Sequence, residues 1–585
     1  LFRQKGLNTL PGNLLGMALP NGFETTVRKY ALQNAAQYGG KANPGAVIGK
    51  ILAENPSLKP QIKEVAAAVN NALKSVNKLG VEKQTEELGK LAPELLEKKK
   101  VEKRDLPELK NAVQGNVITR IPPEPSKYAH IGHALSFLIN FMYAKKYRGK
   151  CFVRFEDTNA ELAKKEYADA MLDDIKYLGI QPHKVLHISN DLPMLYENAE
   201  KLIRQGSAFI CFCSQDKMRE LRHEGFGCNC RQHDAKRNME EWKAMLGRKY
   251  KEGEAVLRLK GDMQSPNHVM RDPALFRISC KEHYLQGNRY CVWPLYDFAN
   301  SVEDGVMGIT HILRSGEFGT MRVELQDTIK SLLKLPRQTV IQYGRFNVKG
   351  AVTQGREIRA LMEEGVIKSW DDPRLVTIRA LRRRGIQPET FWEIAIEVGL
   401  SPSETNFDWQ LISAINRKIL DPKCNRYFYV ENPQQMTVKG APERKVELKL
   451  HPDVEEGKRR QFTVKDRFYV AEKDLGDVAK LKGTSLVRLM DCLNFRKSGS
   501  GYVFDSTEYE KYRMSGSKIM HWLPADDKSL VKVKVLMPDA TFSKGLAEAA
   551  TAEIKIGEIV QFARFGFCRL ESKSEKELSF IYCHN

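Results

Sequence analysis

The stretch Arg120-Ile-Pro-Pro-Glu-Pro-Ser-Lys-Tyr-Ala-His-Ile-Gly-His133 constrains this chain more than any other. Ahead of it and into its start, Val117-Ile-Thr-Arg-Ile121 is a β-branched run that stops at a double proline, which cannot continue a strand's hydrogen bonding. Behind it, Leu135, Leu138, Ile139 and Met142 recur at i, i+3, i+4 and i+7, the spacing of a helix with one buried face. His130, Gly132 and His133 therefore sit at the mouth of a helix that follows a strand. Free backbone N–H groups and the positive end of the helix dipole favour an anion there, and imidazole N–H groups reach phosphate oxygens. Gly132, with no side chain, lets a flat ring come close to the backbone. Together these features predict a nucleotide site built without a glycine-rich loop.

A chain of 585 residues is too long for one ordinary domain and predicts roughly three to five. Its net charge of +20 and pI near 9.3 point to a polyanionic partner, nucleic acid before membrane. Eleven cysteines, an odd number, argue against a disulfide framework and for a reducing, cytoplasmic compartment. No apolar run reaches the roughly 18 residues of a membrane span. Arg3 and Lys5 precede the first acidic residue, Glu24, a faint likeness to a targeting leader; the start at Leu1 reads instead as ragged.

Along the chain, Val65, Val69, Leu73 and Val76 keep a helical stripe in an N-terminal helical region, Tyr38 to Gly45 is loop chemistry, and Lys98–Lys100 with Lys103 and Arg104 form a basic linker. Cys151–Phe155 reads as a second strand ending beside Arg154, Glu156 and Asp157. Thr158 and Asn159 are cap residue types before a helix carrying Leu162, Met171, Ile175 and Leu178, closed by Gly179. Taken alone, Glu156 and Asp157 read as helix-capping carboxylates. Strand, helix, strand, helix implies a parallel sheet with ligands at the carboxyl ends of its strands. Cys211-Phe-Cys213 and Cys228-Asn-Cys230 are two close thiol pairs suited to structural zinc, with buried free cysteines the plainer alternative. The sheet pattern resumes at Tyr290–Phe298, and Met307–Arg314 is a buried strand ending in a guanidinium. Arg314 with Arg120 suits a bidentate grip on a carboxylate. Asp372 and Pro373 are placed to start a helix that ends Arg382-Arg-Arg-Gly385; three arginines there complement the dipole and suit a nucleic-acid backbone. Beyond about Asn425 the period becomes two, in Val446, Leu448, Leu450 and in Val531, Val533, Val535, predicting β-barrels. Phe562–Arg569 interleaves aromatics with arginines, either barrel core or a base-stacking groove.

Several of these stretches carry a resemblance. Pro123 to His133 resembles the HIGH signature of class I aminoacyl-tRNA synthetases in its glutamate/glutamine form, and Arg154-Phe-Glu-Asp-Thr-Asn159 resembles that subgroup's second signature. Trp370-Asp-Asp-Pro-Arg374, Leu381-Arg-Arg-Arg-Gly385 and the β-rich tail are similar to the archaeal/eukaryotic branch. Tyr30-Ala-Leu-Gln-Asn34 and Lys41-Ala-Asn-Pro-Gly45 look like the helical extension of its archaeal glutamyl members. The resemblance implies an α/β multidomain protein: a helical extension and linker at 1–112, a Rossmann-like catalytic domain at 113–210 and 290–350, an acceptor-binding insertion at 211–289, a helical stem-contact domain at 351–428 and β-barrels for the anticodon at 429–585.

It further implies that Glu124, His130, Gly132 and His133 bind ATP, and that Arg120 and Arg314 hold a substrate side-chain carboxylate. Glu156 would take the α-amino group, with Tyr296 and Asn300 completing the pocket. Asn300 with Arg314 resembles the glutamate version, since an arginine facing a neutral amide would be a buried, unpaired charge. The implied activity is glutamate–tRNA ligation from L-glutamate, ATP with Mg2+, and tRNA(Glu), with tRNA(Gln) a second candidate partner; a structural Zn2+ would sit on the four cysteines. The alternatives are a glutaminyl enzyme and a tRNA-binding paralogue that no longer activates amino acids. The latter is motivated by one departure: where the family's mobile KMSKS loop carries a lysine, Val352-Thr-Gln-Gly-Arg-Glu-Ile358 has Gly355, leaving Arg356 or Lys349 to supply the cation. Glu317-Phe-Gly-Thr320 likewise stands where the family has His-Leu-Asp-Asn.

Overall fold

The computed structural model describes residues 20, 22–37, 40–95, 105–454, 457–525 and 527–585. Arg3, Lys5, Tyr38, Gly39, Lys98–Lys100, Lys103 and Arg104 lie outside them. The chain divides into two compact units, 1–104 and 105–585. In the first, α1 (Phe23–Gln37), α2 (Pro44–Glu54), α3 (Ile62–Val76) and α4 (Val81–Leu91) enclose a core of their own. Val65, Val69, Leu73 and Val76 all turn into it, as their spacing predicts. Asn43 caps α2, accepting from the Ala46 N–H at 3.2 Å, with Pro44 in the first turn.

The second unit begins with β1 (Ile118–Ile121), α5 (Ile131–Lys146), β2 (Lys150–Phe155), α6 (Lys165–Tyr177) and β3 (Lys184–His187), the three strands parallel. Next come α7 (Leu192–Arg204), β4 (Ala208–Cys211), α8 (Gln215–Glu224), α9 (Ala235–Leu246), β5 (Val256–Leu259), β6 (Ala274–Ile278) and β7 (Val292–Pro294). These four strands form a separate antiparallel sheet. After α10 (Tyr296–Val306), the parallel pair β8 (His311–Ser315) and β9 (Thr339–Tyr343) flanks α11 (Gly319–Leu333). Thr310 stitches this pair to β1: its N–H donates to the Ile118 carbonyl at 3.0 Å, and its hydroxyl accepts from the Ile118 N–H at 2.8 Å. The strands thus run β3-β2-β1-β8-β9, and the order reverses between β1 and β8. In such sheets a ligand binds at the strand ends beside the reversal.

Several expectations change. α5 is buried almost all round, with Ala134, Phe137 and Tyr143 inside as well as the predicted four, because it lies between the sheet and α14 (Pro388–Val398). α6 starts at Lys165, so Thr158 and Asn159 belong to a loop and Leu162 is exposed in it; Gly179, at φ +72°, does follow the helix end. Asp157 caps nothing: it accepts from the Ser189 N–H and hydroxyl at 2.9 and 2.8 Å and holds the end of β3. The 290–298 stretch is only briefly a strand, since α10 takes over at Tyr296. Asp372 starts no helix either. Its carboxylate folds back on Arg374, and α13 (Ile378–Arg383) begins at a Thr377 cap instead, following α12 (Gly355–Glu363).

Each of the three arginines at the end of α13 has a protein partner, and burial increases along the row. Arg382 pairs with Asp173 at 2.7 Å, Arg383 is bidentate to Glu571 at 2.6 and 3.0 Å, and buried Arg384 donates to the Cys583 carbonyl at 3.1 Å. Arg383 and Arg384 fasten the helix to the end of the chain, while Arg382 stays exposed on the surface beside Asp173. Beyond 425, two seven-stranded sheets form. The edge strands of one, Arg426–Tyr427 and Tyr429–Glu431, are neighbours in sequence, which curls that sheet toward closure. Val446, Leu450, Val533 and Val535 are buried, and Phe562 and Phe567 are wholly inside, so that aromatic run is core. Of the eleven cysteines, Cys280 and Cys291 are disulfide-bonded where β6 and β7 pair, and nine are free; one bond is not a framework.

Candidate active site

His130 and His133 cap α5 reciprocally. The His130 Nδ1 accepts from the Gly132 N–H at 3.1 Å, and the His133 Nδ1 accepts from the His130 N–H at 3.2 Å. An imidazole that accepts through Nδ1 carries its proton on Nε2. Burial, with the nearby Lys127 charge, pushes His133 down to about 3; burial, His133 and then Lys127 keep His130 well below the ordinary value. Both rings are therefore neutral near pH 7, with Nε2–H as their remaining donor. This revises how an anion would be held. The Ile131 N–H is spent on the Val376 carbonyl at 3.0 Å and the Gly132 N–H on His130, so imidazole donors replace free backbone amides. The flat ring that Gly132 admits is that of His130: a Cβ there would meet its Cε1 at 2.9 Å and the Phe346 carbonyl at 3.1 Å.

Beside this mouth lies a cleft of ≈ 210 Å³ lined by Glu124, Glu156, Arg277, Tyr296 and Asn300 among others. Under it is a buried charge network. Asp304 accepts from Arg120 Nε at 3.1 Å and Arg154 Nη1 at 2.7 Å through one oxygen, and Arg154 Nη2 donates to Asn300 Oδ1 at 2.6 Å. The Arg120 Nη1 is buried without a hydrogen-bond partner among the described residues. Arg314 donates to Gln326 at 3.0 Å and to the Tyr296 hydroxyl at 3.4 Å. Arg120 and Arg314 both act on Tyr296, whose phenol burial pushes up to about 12. The structure thus brings Arg120, Glu156, Tyr296, Asn300 and Arg314 into one neighbourhood, with His130, Gly132, His133 and Glu124 next to it. Arg356 stands apart, exposed in the first turn of α12.

Burial raises Glu156 to about 7, against the pull of Arg154 and Arg120, and leaves its Oε1 unbonded among the described residues. A carboxyl held this way gains by meeting a cation. Asp304, missed in the sequence, is the anchor of the guanidiniums. Tyr296, Asn300 and Asp304 fall at i, i+4 and i+8 of α10, a periodicity that reading 290–298 as strand concealed.

The four cysteines of the insertion also meet, their sulfurs all within 4.8 Å of one another. Zinc–sulfur bonds of about 2.3 Å set tetrahedral sulfurs about 3.8 Å apart, and Cys211 and Cys228 are 3.7 Å apart. Arg258 donates towards both the Cys211 and Cys228 sulfurs, at 3.5 and 3.8 Å, so a positive charge already stands beside the set.

Comparison with known proteins decides the family. A model described as "tRNA synthetases class I (E and Q), catalytic domain" matches residues 116–422, and two anticodon-binding-domain models of the same family match 424–506 and 519–571. The chain belongs to the class I (E and Q) tRNA synthetases. The glutamate–tRNA ligase of Pyrococcus abyssi is 40% identical over 576 residues, 96% of this chain and 99% of that one. That of Pyrococcus horikoshii is 41% identical over 575 residues, with the same coverage. As a class I synthetase the chain uses ATP. No described helix is long and apolar enough to cross a membrane.

Proposed function

We propose that this synthetase is a glutamate–tRNA ligase acting in the cytoplasm on tRNA(Glu). The observation that carries the reading is the convergence of two buried guanidiniums, Arg120 and Arg314, on Tyr296, which lines the small cleft together with Glu156 and Asn300. A substrate carboxylate brings a negative charge to these guanidiniums, and a neutral amide brings none. Glu156 takes the α-ammonium, Tyr296 and Asn300 shape the pocket, and Glu124, Gly132 and the Nε2–H groups of His130 and His133 receive MgATP. The substrate α-carboxylate oxygen attacks the α-phosphorus; the bond to the bridging oxygen breaks, and pyrophosphate leaves with its electron pair. A ribose hydroxyl at the tRNA 3′ end then attacks the acyl carbon, and AMP departs. Positioning and charge stabilisation carry the chemistry. The insertion at 211–289 and the 351–428 region face the acceptor stem in this scheme, and 429–585 the anticodon. Arg356, exposed in the first turn of α12, is one candidate for the cation that Gly355 does not supply.

The test is pyrophosphate exchange with glutamate or glutamine, with and without tRNA. Exchange with glutamate is expected. Exchange with glutamine alone reassigns the substrate and raises tRNA(Gln) in place of tRNA(Glu), and none under any condition leaves a tRNA-binding paralogue.

Glutamate affinity should rise with pH. Glu156, pushed up to about 7, is largely protonated below that pH and meets the ammonium poorly, so KM for glutamate falls between pH 6 and 8. Glu156→Gln should flatten that profile; an unchanged slope in the variant assigns the titration elsewhere.

Cys211, Cys213, Cys228 and Cys230 would hold a structural Zn2+, supplying a cross-link between β4 and the turn after α8. Metal analysis of reduced, folded protein should find one zinc per chain. Cys228→Ser should lose it and lower the melting temperature by several degrees; full occupancy in that variant rejects the four-thiolate site.

A further inference from the structure

Lys127 lies in the loop that leads into α5, half-buried, three residues before His130. Its stem passes over the start of α12. A Cβ added to Gly355 would meet the Lys127 Cδ at 2.9 Å and its Cβ at 3.4 Å, so a side chain at 355 and the Lys127 stem compete for one space. Its charge acts on both His130 and His133. The charged groups around it are Glu124, Glu317 and Arg359. Glu124 is exposed, and Glu317 is engaged by Arg345, so neither closes on Lys127 as an ion pair among the described residues. Arg359 reaches the same loop from α12, donating to the Ser126 carbonyl at 3.5 Å. A partly desolvated ammonium thus stands beside two imidazole donors, with no carboxylate of the described residues bound to it.

We infer that Lys127 supplies the phosphate-neutralising cation of amino-acid activation, in the place the loop lysine would otherwise take at position 355. The role rests on the ligase reading above. Charge develops on the oxygen bridging the α- and β-phosphorus as that bond breaks, and a fixed ammonium in a water-poor site stabilises it there. Lys127 needs no loop movement to be present. Gly355 follows from the same geometry: the α12 turn gives up its side chain to the lysine that crosses it.

The experiment compares wild type, Lys127→Met, Lys127→Arg, Lys127→Ala, Arg356→Ala and the double variant Lys127→Ala with Gly355→Lys. Methionine keeps the apolar stem over Gly355 and removes only the charge. Two readouts are taken: pyrophosphate exchange with glutamate and tRNA, and MgATP affinity by titration calorimetry. Lys127→Met should lower the exchange rate by roughly 100-fold, and Lys127→Arg by no more than about tenfold. The double variant should exceed Lys127→Ala by at least about tenfold, since a cation returns from the opposite side of the same space. Lys127→Met within about threefold of wild type in both readouts overturns the proposal, as does a larger loss for Arg356→Ala. If the wild type exchanges with no amino acid, the ligase reading fails; Lys127 is then judged on MgATP affinity, where about tenfold weakening supports it and equal affinity rejects it.

Discussion

Replacing Arg314 with glutamine lowers kcat/KM for glutamate in tRNA-dependent exchange by about 1,000-fold, or about 4 kcal/mol, and lowers it for glutamine far less. Arg314 is 4% exposed, and its hydrogen bonds to Gln326 and Tyr296 go to neutral acceptors. An incoming carboxylate therefore meets a guanidinium whose desolvation was already incurred in folding, which makes that pairing strong. The substituted amide would keep a polar group of similar reach but meet a carboxylate with a weak donor and no charge. An amide substrate never used the charge, so the ratio of the two specificities should narrow by most of the glutamate loss. A variant that loses both amino acids equally would show Arg314 holding the pocket together and not selecting its substrate.

Asp304→Ala should destabilise the fold by about 3–5 kcal/mol, read as a lower urea midpoint with an unchanged slope. One carboxylate oxygen serves Arg120 and Arg154, both almost wholly buried, and Lys330 is a third buried cation nearby. Removing the anion leaves two guanidiniums in a dry site with their one bonded carboxylate gone and Glu156, 3.8 Å from Arg154, outside hydrogen-bond reach. Burial works to raise Asp304, but Arg120 and Arg154 outweigh it and hold the carboxyl below its ordinary range. The sign follows: its contribution is present above about pH 4, the unfolded value, and is lost as pH falls through the lower folded one. The same residue should matter for catalysis, since Arg120 loses its orientation with it. A loss under about 1 kcal/mol would mean that the guanidiniums find other acceptors.

What could be read from residues alone was local. The strand before the prolines, the helix after the histidines, the α3 stripe and the period-two tail are each written within about fifteen residues of sequence. Arg120 and Arg314 were legible because each sits in a β-branched or buried run. Asp304 was not: it lies 184 residues from Arg120, and nothing nearby says which carboxylate the arginines meet. The partners of the three arginines were hidden for the same reason: Glu571 and the Cys583 carbonyl lie almost 200 residues beyond Arg383 and Arg384, and Asp173 lies 209 residues before Arg382. The capping histidines were found but their bonding was not, since ring and amide compete for the same hydrogen bonds and only geometry decides which wins.

α13 joins two ends of the second unit. At its start, Thr377 bridges His130, and the Ile378 N–H donates to the Ala129 carbonyl at 2.9 Å. At its finish, Arg383 and Arg384 are bonded to the last two long strands of the chain. Six residues of helix are a rigid rod about 9 Å long, and no glycine interrupts it before Gly385. The span from the histidine mouth to the C-terminal sheet that holds both strands is therefore set by a braced strut with no hinge in it. The two places are held like the jaws of a fixed caliper, at one setting.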